Sequence, residues 1–188
     1  MKAAKLSAPG LDPLTGDAVS LERKRALLRA VDETYFKVPL GSGYSVYEGA
    51  VVEVKNGDAF VMQFPAGAPT RANRMVEARA LWALTRPRLD VWYSSPGGSV
   101  VPFNFGFVVR VYGAGSTTVN NTMTIDWTAP GPAAAGGVLK TTVVGTARFP
   151  ASPFGVAHFR LVRNRLANDA NPNALDVLLA VVTMEEVA

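Results

Sequence analysis

Asp169, Asn171 and Asn173, within RLVRNRLANDANPNALDVLLAVVTM (160–184), stand at the D-x-N-x-N spacing that opens a calcium loop. Oxygen-bearing side chains at alternate positions suit a hard cation. The pattern then fails. Ala174 stands where such a loop needs glycine for its sharp turn, and Ala180 where a bidentate glutamate would complete the coordination. Asn, Asp and Pro also cap and reverse a backbone, so a turn between two β-strands is the expected reading.

Other candidates for chemistry are weaker. GAGST (113–117) and GSG (41–43) resemble phosphate loops, but neither is followed by a Lys-Ser/Thr pair or opens a helix, so β-turns are expected. Asp90 and Asp126 are each predicted within a strand, and nothing in their spacing brings them together as a glycosidase pair. His158 sits between Ala157 and Phe159 without a Ser or Asp signature around it. Asn120-Asn121-Thr122 fits a glycosylation sequon and reads as a turn leading into a strand. With no cysteine and a single histidine, thiolate chemistry, disulfides and multi-histidine metal centres are excluded. No catalytic residue, cofactor or metal is expected, and the chain is not expected to be an enzyme.

The composition fits a globular domain: 48% hydrophobic and 18% charged residues over 188 positions. No apolar run approaches the roughly 20 residues of a membrane-spanning helix, and the opening MKAAKLSAPG lacks the apolar stretch of a secretory signal. The net charge of +4 is mild. Residues 1–37 carry seven basic against five acidic side chains, less basic than a nucleic-acid packaging arm, so no direct nucleic-acid partner is expected.

The elements that would position these residues are mostly strands. Residues 1–17, broken by Pro9, Gly10 and Pro13, read as an extended arm. From Ser20 to about Phe36, Leu21, Leu28, Val31 and Tyr35 fall on one helical stripe, and KVPLGSG stops the helix. Arg23, Lys24, Arg25 and Arg29 line its solvated or partner-facing side. Thereafter strands are predicted over 44–54, 59–64, 74–84, 88–93, 101–112, 122–127, 138–149, 154–162 and 175–184, with an Asn56-Gly57 hairpin between the first two. In 101–112, Val101, Phe103, Phe105, Phe107, Val109 and Val111 repeat at a strict period of two, which stacks them on one face of a strand. In 74–84 the same period assigns Val76, Ala78, Ala80, Trp82 and Leu84 to one face. Eight or nine strands with no helical pattern between them predict an all-β, antiparallel jelly-roll-like sandwich over 44–188, preceded by an arm and one short helix over 1–43.

From about Ala59 to Val187 these phrases resemble small jelly-roll structural proteins of tailed bacteriophages. The resemblance rests on AFVMQFPAG, on LDVWYSSPGGSVVPFNFGF, on the Ala129-Pro130-Gly131 turn and on the closing hairpin. In that hairpin it is carried by Arg160, Arg163, Asp169, Asp176, Leu178 and Leu179. The insertion Asn171-Pro172-Asn173 departs from the pattern, and residues 1–43 have no counterpart in it. The resemblance implies a virion component of the head decoration or cement type. Such a protein binds the outside of the head, contacts the major capsid protein and assembles as a trimer. In that reading residues 1–43 make the attachment, through Leu21, Arg25, Leu28, Val31 and Tyr35. The alternatives are a tail or fibre component that touches a host receptor, a jelly-roll protein that forms the shell itself, and a carbohydrate-binding module or lyase on a similar sandwich.

Overall fold

In FNFGFVVRVY the side chains of Phe103, Phe105, Phe107, Val109 and Val111 are at most 2% exposed, so one face of this strand is sealed against a second layer. The computed structural model describes residues 37–41, 45–56, 59–67, 69–149 and 155–186, all within the unit Phe36–Ala188. The expected arm and helix, with Leu21, Arg25, Leu28, Val31 and Tyr35, lie outside the described residues.

In chain order the strands are β1 (Lys37–Pro39), β2 (Val46–Glu48), β3 (Val52–Asn56), β4 (Ala59–Phe64), β5 (Thr70–Glu77), β6 (Thr85–Ser94), β7 (Phe103–Tyr112), β8 (Val119–Ala129), β9 (Leu139–Val144), β10 (Val156–Arg163) and β11 (Leu175–Glu186). The first sheet has the order β3-β4-β11-β6-β9, with β1 also pairing β11; the second has the order β2-β5-β10-β7-β8. Every pairing is antiparallel. From β4 to β11 the chain changes sheet at each connection except the β7–β8 hairpin. Four strands, β4-β11-β6-β9, thus face β5-β10-β7-β8, which is the eight-stranded jelly roll. Between them lies a core that includes Phe64, Leu89, Tyr93, Phe107, Phe159 and Leu161, each 0% exposed.

The β body is therefore as expected, and its boundaries differ for identifiable reasons. Lys37–Pro39, expected in the arm segment, is a strand: Val38 and Leu40 are buried, and Leu40 N–H donates to Ala180 C=O. Pro39 is tolerated because β1 pairs on one side only, with β11. The run 44–54, expected as one strand, is split between two sheets at Gly49, whose φ of 81° turns the chain. Its hairpin with β4 closes at Asn56↔Ala59.

The alternation read through 74–84 ends at Glu77. Ala80–Leu84 is instead a 3-10 turn that carries the chain across to β6. It buries Trp82 edge-on against Phe149 and Phe159, whereas Leu84, expected on the same face, is 60% exposed. The predicted strand 138–149 ends at Val144, where Gly145 N–H donates to Pro87 C=O. In β11 a bulge at Leu178 shifts the register between Val177 and Leu179. This keeps Leu175, Val177, Ala180, Val182 and Met184 all in the core.

Gly131 shows how tightly one end is packed. A Cβ there would overlap the carbonyl oxygens of Ser99 and Val101, and Ser99 N–H donates to Pro132 C=O just beyond. Gly131→Ala is expected to lower stability by about 1–3 kcal/mol, through overpacking against backbone that cannot yield. Gly41→Ala, with nothing within 4 Å of its added carbon, should be close to neutral. Urea unfolding midpoints of the two variants check this.

Candidate functional site

The Asn/Asp loop resolves into a clamp built on Arg163. This last residue of β10 faces inward, and its side chain is 0% exposed. Nε and Nη2 donate to the two carboxylate oxygens of Asp169, at 3.1 and 2.8 Å. Nη1 donates to the carbonyls of Phe64 and Asn173, both at 2.9 Å, and Nη2 to that of Asn171 at 3.1 Å. All five N–H groups of the guanidinium are thereby used, and its carbon lies 4.9 Å from the centre of the Phe103 ring.

The asparagines fix the surrounding chain. Asn164, at φ 59°, accepts from Asp169 N–H and donates to Gly67 C=O. Asn171 donates to Val101 C=O and accepts from Asn173 N–H; Asn173 donates to Gly98 C=O. The carboxylate that would bind a cation is already filled by one, the guanidinium. The loop is a turn with a structural function.

The other sequence candidates also separate. Asp90 lies on the first sheet and Asp126 on the second, each engaged locally. Burial pushes the Asp90 carboxyl up, but hydrogen bonds from Thr142, Lys140 and Arg88 together bring it below its ordinary value. Asp126 pairs with Arg165, whose side chain lies over Gly106. Gly113–Thr117 lies in the turn between β7 and β8, closed by Ser116 N–H to Gly113 C=O. Asn120, Asn121 and Thr122 belong to β8 itself rather than to a turn before it. Among the described residues no three His, Asp or Glu side chains converge as metal ligands, and no helix is long and apolar enough to cross a membrane.

One site was not anticipated from sequence. On the outer face of the second sheet, strand register sets His158 (β10) opposite Met75 (β5) and Arg110 (β7), and Arg160 opposite Asn73. Val46, Glu48, Asn73, Arg74, Met75 and His158 line a recess of about 380 Å³. Glu48 takes Arg71 at 2.8 Å and Arg160 at 3.5 Å. The hydrogen bond from Arg71, with the charge of Arg160 beside it, outweighs burial and holds the Glu48 carboxyl below its ordinary value. Arg160 Nε donates to His158 Nε2 at 3.3 Å, which leaves the imidazole proton on Nδ1.

That Nδ1 is buried without a partner, and so is Asn73 Oδ1. His158 is 3% exposed and Asn73 5%. Burial, reinforced by Arg160 and Arg110, lowers the His158 pKa to about 4. The Tyr112 ring lies beside it, with centroids 6.5 Å apart. A shared face for His158 and Arg160 follows from their spacing of two. Their meeting with residues of β2, β5 and β7 has no local signal.

Removing the Arg163 side chain strands Asp169 and three carbonyls, so Arg163→Ala is expected to cost about 3–5 kcal/mol in urea unfolding. Millimolar calcium should leave the melting temperature of the native chain unchanged. His158 gives a pH signature. Its folded pKa of about 4 lies below its ordinary 6.5, so the unfolded state binds the extra proton between these values. Stability is full above pH 6.5 and falls toward pH 4, by about 1–3 kcal/mol from this group. His158→Gln should flatten that part of the unfolding-midpoint profile.

No protein-family model matches the chain, and no curated protein matches it. Solved structures align with it at low identity. An Arthrobacter globiformis T6 isomalto-dextranase complexed with panose aligns at 12% identity and TM-score 0.48, over 79% of this chain and 23% of that one. A CBM36 carbohydrate-binding module in complex with calcium and xylotriose aligns at 10% identity and TM-score 0.46, over 79% and 98%. A family 16 carbohydrate-binding module aligns at 14% identity and TM-score 0.43, over 76% and 87%.

Proposed function

We propose that this chain is a non-enzymatic structural protein of a tailed-bacteriophage virion, of the capsid decoration or cement type. Its β body is a rigid platform on the outer surface of the head. Within the expected arm, residues 1–35 make the attachment to the major capsid protein and to neighbouring copies in a trimer, since Lys37–Pro39 belongs to the β body. Repetition by particle symmetry turns a modest contact into firm binding.

One observation carries this reading: residues behind the phage resemblance lock the sandwich rather than present reactive groups. Arg163 and Asp169 form the buried clamp. Asp176 accepts from Gln63 across the β4–β11 pair, and Leu178 is the bulge of β11. A second reading, a tail or fibre component that touches the host, is favoured by the recess on the outer face of the second sheet. Immunogold labelling of purified particles separates the two by position and copy number.

Deleting residues 1–35, which removes the segment before the unit Phe36–Ala188, should leave a cooperatively melting β domain that no longer co-sediments with heads. Undiminished decoration by the truncated chain would overturn the attachment assignment.

A further inference from the structure

Apart from the Asp126–Arg165 pair, the outer face of the second sheet sets Arg71, Arg110 and Arg160 against Glu48 and Glu77. Glu48 is shared between Arg71 and Arg160, and Arg110 has no acidic partner among the described residues. His158 and Asn73, which line the recess beside these charges, each hold a buried polar atom without a partner: the donor Nδ1–H and the acceptor Oδ1. Buried polar groups without partners are rare in folded proteins and costly to keep. Its rim is apolar and movable: Met75, directly opposite His158, is 63% exposed, and Val46 is 73% exposed.

We infer that this recess binds a carboxylated sugar, with the carboxylate on Arg110, a ring hydroxyl between His158 Nδ1 and Asn73 Oδ1, and the C–H face of the ring against Met75 and Val46. A hydroxyl both donates and accepts, so one oxygen satisfies both unused groups. An acidic peptide fits less well. The floor strand β10 is already paired on both sides, with β5 and β7, so a peptide cannot extend the sheet there and would leave most of its own N–H and C=O groups unmatched. The volume of about 380 Å³ falls in the range of small-ligand pockets. This site does not depend on where the chain sits on a particle.

The test is isothermal titration of the full chain with galacturonate, glucuronate and mannuronate trisaccharides and sialyllactose. Neutral trisaccharides and a triglutamate peptide serve as controls. At least one carboxylated sugar should bind, with the neutral sugars and the peptide at least about tenfold weaker. Arg110→Glu should abolish binding and Arg110→Ala weaken it about tenfold or more, as expected for loss of a charge-assisted contact. Arg110 is partly exposed and holds no core contact, so circular dichroism should show both variants folded. Failure of every carboxylated sugar to bind, equal binding of the peptide, or unchanged affinity in Arg110→Glu would each overturn the inference.

Discussion

A guanidinium in a protein core must be matched on every N–H, because bringing it out of water costs several kcal/mol that only complete hydrogen bonding offsets. Arg163 meets that condition with acceptors from Phe64 at the end of β4 and from Asp169, Asn171 and Asn173 in the loop before β11. Neither the loop nor the strand end satisfies the charge alone. All of these segments must be in place together, which makes this end of the sandwich cooperative. The loops around it are tied to the same unit. Asn171 and Asn173 reach the 98–101 segment, Ser95 Oγ donates to Ala174 C=O, and Ser99 N–H donates to Pro132 C=O. The closing segment, expected as a hairpin, is a crossover: β10 and β11 lie in different sheets, and the loop between them ties this end of the jelly roll together.

The two outer faces treat charge differently. On the first sheet, Arg88 is shared by Asp90 and Glu185, Arg86 reaches Glu185, and Lys140 bonds Asp90 while covering the Trp92 ring. Each of these three cations reaches at least one of the two carboxylates. On the second sheet, Arg71 and Arg160 share the Glu48 carboxylate, and Arg110 adds a third positive charge beside a neutral, buried histidine. Nothing in the packing of the sandwich needs that arrangement. A face that only covers the core would be expected to resemble the first sheet.

Much of the fold was legible in the chain. The alternating Phe and Val residues of 103–111 identify a strand sealed on one face, because side chains two residues apart share a side whatever the rest of the chain does. The Asn, Asp and Pro of 169–173 identify a reversal, because their side chains bond nearby backbone. Where the chain changes sheet, the pattern misleads. At 80–84 the apolar spacing continues while the backbone leaves the strand, since burying Trp82 against Phe159 of β10 favours a 3-10 turn over continued extension. At Leu178 a bulge preserves core burial that strict alternation would have inverted.

The sequence by itself therefore determined the all-β class, the sealed faces and the turn chemistry, since each depends on residues close together along the chain. Only the tertiary structure decided that Arg163 is a buried clamp rather than a surface charge. It also decided that His158, Asn73 and Glu48 line one recess, with Arg110 opposite His158 on the next strand. The partners of Arg163 and of His158 lie on strands far apart in sequence. Which strands become neighbours is set by burying all the sealed faces together in one core, a requirement on the whole chain that no short stretch records.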